Sequence, residues 1–201
     1  MVVNIPNSDM MATALAHEIK NPAALALAYV SLIRQTTDFY EISEFCDYIQ
    51  QALLDISDLV QDLLFAAQHK PEMCLVHITE LLSEMLGEYR AAMPGMSFLL
   101  HGNQGLSCYT YDQHLRLVFS NLLKNAAEAT DREVAVCVKA EDRFIYVSIQ
   151  NSKDFDTTKP HSSGMGLGIC NWLLEQMGGK LEIENKSNFT ALVCIPCNLL
   201  C

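Results

Sequence analysis

Between residues 42 and 63 apolar side chains recur at Ile42, Cys46, Ile49, Leu53, Ile56, Val60 and Leu63, in alternating steps of four and three. That spacing keeps one stripe on one side of an α-helix and predicts a long amphipathic helix with a heptad seam. An earlier stripe, Leu15, Ile19, Ala23, Ala26, Val30 and Ile33, repeats at helical spacing. The polar triplet Thr36-Thr37-Asp38 separates the two and can cap the second helix. Two such helices form a hairpin that cannot enclose its own seam. At about 1.5–3 kcal/mol per buried side chain, an exposed second-helix seam forfeits on the order of 10–20 kcal/mol, an upper bound because unfolded chains are already partly collapsed. Pairing with a second copy into a four-helix bundle removes that loss. Packing of the same face on the rest of the chain is the alternative.

After Lys70-Pro71 the pattern changes, which places a boundary between residues 1–70 and 71–201. A helix is expected near His77–Ala92, strands near Met96–His101 and Ser107–Thr110, and a helix at about Asp112–Thr130. Two β-rich runs, Glu133–Ala140 and Phe144–Asn151, flank the polar turn Glu141-Asp142-Arg143. A polar stretch over 152–163 leads to closely spaced glycines, then a helix near Ile169–Met177 that ends at Gly178-Gly179. Strands near Lys180–Glu184 and Phe189–Pro196 complete the order. The fold class is therefore α+β: an N-terminal helical hairpin forming a dimeric four-helix bundle, followed by an α/β sandwich with a mixed sheet.

Composition narrows the function. A formal charge of −11 without a basic stripe argues against nucleic acid and against anionic membrane surfaces. Met1–Met11 lacks the basic and apolar regions of a signal peptide, and the apolar run that begins at Ala23 is too short to span a bilayer. No membrane contact is expected within this chain. The eight cysteines lie mostly among apolar residues, as reduced cysteines do. Cys194-Ile195-Pro196-Cys197 has C-x-x-C spacing but no second pair, and reads as structural.

Three clusters carry candidate chemistry. His17-Glu18-Ile19-Lys20-Asn21-Pro22 puts an imidazole and an amide four apart on one helix face, with a carboxylate beside the imidazole and a proline that loosens the backbone. An imidazole with an adjacent base can act as a nucleophile. On the 112–130 helix, Leu115, Val118, Leu122, Ala126 and Ala129 form the apolar stripe, while Asn121, Asn125 and Glu128 line the neighbouring face. Two amides a turn apart can hold Mg²⁺ through carbonyl oxygens and phosphate through NH₂ groups, and Lys124 adds a phosphate-seeking charge. Mid-helix asparagines are poor helix formers and want a reason. Gly164, Gly166 and Gly168 directly precede a helix, whose free N–H groups favour phosphate. A polar loop rather than a strand precedes them, which excludes a Rossmann fingerprint, and no P-loop sequence is present.

These motifs, in this order, resemble the catalytic core of two-component sensor histidine kinases. His17 to Pro22 is similar to their phospho-acceptor box. Asn121-Leu122-Leu123-Lys124-Asn125-Ala126-Ala127-Glu128-Ala129 resembles their asparagine box, and Gly164-Met165-Gly166-Leu167-Gly168-Ile169 their second glycine box. The resemblance implies a dimerisation and histidine-phosphotransfer hairpin, then an ATP-binding sandwich of the kind shared with gyrase and heat-shock chaperone ATPases. It further implies the cofactors ATP and Mg²⁺, with Asn125 as the metal ligand and Asn121 and Lys124 near the phosphates. Gly164, Gly166, Leu167 and Gly168 would hinge a lid over ATP. The implied catalytic residues are His17, Glu18 and Asn21, and the implied partners are a homodimer mate and a response-regulator receiver domain.

One box departs from the family. Where these kinases carry Asp-x-Gly-x-Gly, this chain has Asn151-Ser152-Lys153-Asp154-Phe155, without either glycine. Asn151 still offers an amide oxygen to an adenine amine. The alternative to a kinase is a phosphotransfer adaptor that relays phosphoryl groups through His17 beside a degenerate nucleotide domain.

Overall fold

The computed structural model describes residues 8–68, 72–130, 132–152, 166–185 and 189–197; within helices and strands, the side chains of 8–15, 17, 18, 62, 63, 65–68 and 185 are not described. The chain divides into two compact units, Met1–His69 and Lys70–Cys201.

The first unit is a helical hairpin of α1 (Ser8–Ile33) and α2 (Phe39–Gln68). Asp38 caps α2: its Oδ1 accepts the backbone N–H of Tyr40 at 2.8 Å and of Glu41 at 3.4 Å. Pro22 lies inside α1. The two helices meet through alanine, leucine and aromatic residues. Ala26, Ala52 and Leu59 are buried, and the Tyr29 ring stacks on Tyr48 at 4.8 Å and tilts against Phe45 at 5.6 Å. Part of the heptad stripe faces outward: Leu53 is 57% exposed and Val60 37%, while Ile42, Ile49 and Ile56 are half-buried, and Leu54 beside them is 50% exposed. The reason is geometric. Ala26 and Ala52 let the helices approach closely, and the stripe lies partly beside that contact.

The second unit is a layered sandwich. A two-stranded antiparallel ribbon joins β1 (Cys74–His77) to β3 (Ser107–Thr110). The main sheet has the order β2-β4-β5-β7-β6, from β2 (Ser97–Gly102), β4 (Glu133–Glu141), β5 (Phe144–Asn151), β6 (Lys180–Asn185) and β7 (Phe189–Pro196). β2 and β4 run parallel and the other pairs antiparallel. Three helices, α3 (Ile78–Ala92), α4 (Asp112–Glu128) and α5 (Leu167–Gln176), pack on it. Strand alternation explains the core. Val134, Val136, Val138, Ile145, Val147, Ile149, Ala191, Val193 and Ile195 point to the helices and are buried, while Ala135, Cys137, Ser148 and Leu192 between them stay half-exposed.

The strand β1 is the element that hydrophobic pattern did not predict. Its four residues, Cys-Leu-Val-His, bury one side chain, Val76, so no period shows in the sequence. The mixed α/β unit otherwise follows the expected order, with boundaries shifted by one or two residues.

Candidate active site

α4 carries most of the polar groups in question. Tyr111 and Asp112 start it, and the stripe Leu115, Val118, Leu122 and Ala126 is fully buried against the sheet. The helix is covered on more than that stripe: Leu117, Phe119, Leu123, Ala127 and His114 are buried too. Asn125, expected on a polar face, is 6% exposed, and its Nδ2 has no hydrogen-bond partner among the described residues. Lys124 beside it is exposed. A buried amide N–H left without a partner costs about 1–3 kcal/mol.

One turn earlier, Asn121 is half-buried and donates from Nδ2 to the Leu117 carbonyl at 3.2 Å. Its oxygen side faces Gly166, the residue at the N-terminus of α5. Gly166 adopts φ 102°, a left-handed conformation open to glycine, and a Cβ there would overlap Asn121 Oδ1 and lie 2.9 Å from its Cγ. Leu167 and Gly168 form the first turn of α5, whose N-terminal residue has no side-chain cap of its own. The structure therefore brings Asn121 together with Gly166, sets Asn125 one turn along α4, and keeps Lys124 at the surface. Gly164 lies outside the described residues.

Asn151 ends β5 and is 3% exposed. Its Nδ2 donates to the Ala126 carbonyl at 3.4 Å, and its Oδ1 accepts the Phe189 N–H at 2.9 Å. The amide oxygen expected to meet an adenine amine joins β5 to β7, and the Nδ2 of the same amide joins β5 to α4. Close by, the buried Thr130 shares a hydroxyl contact with Ser152 at 3.3 Å and ties the end of α4 to the end of β5. Nothing in the sequence flagged Thr130, because a lone threonine after a helix carries no pattern.

The phospho-acceptor candidates lie in the other unit. His17, Glu18 and Asn21 fall within α1, with Asn21 exposed and Pro22 immediately following; the side chains of His17 and Glu18 are outside those described. The cysteine pair is divided. Cys194 is half-buried on β7, whereas Cys197 is buried and donates from Sγ to the Ser107 carbonyl at 3.4 Å. Burial, reinforced by the Cys197 thiol, pushes the Cys108 thiol up to about 12, far from thiolate reactivity.

Comparison with known proteins finds similarity over most of the chain. Residues 110–198, which hold α4, Asn151 and the glycine turn, match the family described as histidine kinase-, DNA gyrase B-, and HSP90-like ATPase. With the relatives that follow, this match supports a histidine kinase catalytic core. It is 26% identical to the sensor histidine kinase NtrY-like protein of Rickettsia prowazekii over 94% of this chain and 36% of that protein. To sporulation kinase C of Bacillus subtilis it is 23% identical, over 88% of this chain and 46% of the relative. The core thus spans between a third and a half of these curated relatives. Among solved structures, histidine kinase ThkA in complex with the response regulator TrrA matches 94% of this core and 61% of that chain, with TM-score 0.64 and 22% identity. Histidine kinase AdeS of Acinetobacter baumannii matches 90% and 98%, with TM-score 0.59 and 15% identity. At these identities the likeness is one of fold. No helix among the described residues is long and apolar enough to cross a membrane.

Proposed function

We propose that this histidine kinase core phosphorylates itself on His17 from ATP and passes the phosphoryl group to an aspartate of a response-regulator receiver domain. The observation that carries the reading is Asn125, buried at 6% exposure with an Nδ2 unpartnered among the described residues, one turn from an asparagine that abuts a glycine at a helix N-terminus. An amide left without a partner in a packed helix fits a polyphosphate with its cation. Asn125 would hold Mg²⁺ through its oxygen, with Lys124 and the Gly166–Gly168 backbone toward the phosphates and Asn151 at the base end. The metal, when bound, offsets phosphate charge.

In the transfer, the His17 imidazole nitrogen attacks the γ-phosphorus in line. A P–N bond forms as the bond to the β-phosphate oxygen breaks, ADP leaves, and Glu18 draws off the other ring proton. Asn21, exposed four residues beyond His17, would orient water for the reverse task of dephosphorylating the regulator. The exposed seam of α2 supports assembly as a homodimer, and the ThkA–TrrA complex supports a receiver partner. We place the core in the cytoplasm, alone or as part of a membrane-bound receptor.

Incubation with γ-labelled ATP and Mg²⁺ tests the reading. Acid-labile, alkali-stable label in the parent and none in His17→Gln is the expected result. A second reading, a relay adaptor that takes phosphate only from phosphorylated regulators, is favoured by one observation: the Asn151 oxygen is committed to the Phe189 N–H. Absence of label from ATP, with His17-dependent label from a phosphorylated receiver domain, would establish the relay instead.

A further inference from the structure

Two asparagines one turn apart on α4 are used differently. Asn125 is buried with Nδ2 unpartnered among the described residues, whereas Asn121 is bonded through Nδ2 and sets Oδ1 against Gly166. Its Nδ2 bonds back to Leu117 O at 3.2 Å, which fixes the amide plane and turns Oδ1 toward α5. There it occupies the space that any side chain on residue 166 would need. A second contact lies three residues back along α4 and four residues on along α5. The Cys170 thiol donates to the Val118 carbonyl at 3.8 Å, and the Cys170 N–H closes the first turn on Gly166 O at 2.8 Å. Two points fix an axis, so α5 is held against α4 by Asn121–Gly166 and Val118–Cys170.

We infer that Asn121 is a positioning residue that holds the left-handed turn at Gly166 and so aims the N-terminus of α5, rather than a ligand of the phosphates. The inference rests on the nucleotide-site reading above and assigns a division of labour within it. Asn125 contacts the nucleotide and its metal, and Asn121 acts on them only through the glycine turn. The contact is mutually exclusive with a side chain at 166, and φ 102° there adds strain for any residue but glycine. The two positions should therefore be coupled in a double-mutant cycle.

The test is titration of the full chain with ATP and Mg²⁺, in the parent, Asn121→Ala, Gly166→Ala and the double variant. Gly166→Ala should weaken binding by about tenfold or more, and adding Asn121→Ala, which makes room for the new methyl, should recover about threefold or more. If Asn121 instead touches phosphate, the double variant will bind more weakly than Gly166→Ala, by the full factor that Asn121→Ala loses alone, and the inference falls. Trp172, the one tryptophan of the chain, sits on α5 and supplies a readout without nucleotide. Asn121→Ala should shift its emission and Asn125→Ala should not; equal emission in both variants would overturn the inference. Because this comparison needs no ligand, it decides the matter if Gly166→Ala fails to fold. It also does so if the parent binds no ATP, a result that would sink the nucleotide reading alone.

Discussion

The Asn151 oxygen accepts the Phe189 N–H at 2.9 Å, which stitches the last residue of β5 to the first of β7 beneath the end of α4. With the bond from Nδ2 to Ala126 O, a single buried carboxamide links three elements. Asn151→Ala would leave an N–H and a carbonyl buried without partners. We expect a loss of about 1–3 kcal/mol in unfolding free energy, read from urea denaturation. Asn151→Asp keeps the acceptor for Phe189 but sets a lone pair against Ala126 O, and should be destabilised as well. A change below about 0.5 kcal/mol in both variants would show that the link is dispensable.

Asn125 should behave in the opposite way. Its Nδ2, unpartnered among the described residues, costs stability, so Asn125→Leu should melt at the same temperature or higher. The same variant should lose Mg²⁺-dependent ATP binding by about 100-fold or more. Calorimetric titration and a thermal melt on one preparation check both halves. Unchanged affinity would remove Asn125 from the site.

His114 predicts an acid-sensitive fold. It is 4% exposed on α4, stands 5.5 Å from the Tyr111 ring, and neither ring nitrogen has a partner among the described residues. Burial holds its pKa below the ordinary value of 6.5. Above pH 6.5 the imidazole is neutral in both folded and unfolded states, and its contribution is constant. Below pH 6.5 the unfolded chain takes up a proton that the folded chain refuses, so stability falls by up to about 1.4 kcal/mol per pH unit until the folded pKa is reached. His114→Leu should flatten that slope between pH 6.5 and 5. A parallel profile in the variant would assign the acid sensitivity to other groups.

The α2 seam predicts assembly. Leu53 and Leu54 border a groove completed by Cys46, Ile49 and Gln50, all on one helix of the hairpin. Sedimentation should find a dimer at micromolar concentration, and Leu53→Glu should shift it to monomer, since a carboxylate in an apolar seam goes unpaired. A monomeric parent would mean that the seam is covered in another way.

Much of the architecture was legible before any coordinates. The 144–151 strand could be read from Ile145, Val147 and Ile149, because alternation at period two is what a one-sided sheet requires. The hairpin turn was legible from Asp38, whose side chain caps the helix that follows it. The residue types at 17–22, 121–129 and 164–169 pointed to phosphoryl chemistry, since imidazole, amide and glycine at those spacings suit it.

Tertiary structure alone decided how those residues are used. Sequence could not tell that Asn125 is buried with its Nδ2 unpartnered among the described residues, because burial is imposed by neighbours far along the chain. The pairing of Asn121 with Gly166, 45 positions away, and of Asn151 with Phe189, follows from α5 lying on α4 and β7 pairing with β5. Local periodicity records which face of an element is apolar; it does not record which element covers that face. The sequence by itself determined the elements and the residue types they carry, and packing determined which amide is buried without a partner among the described residues and which holds the fold together.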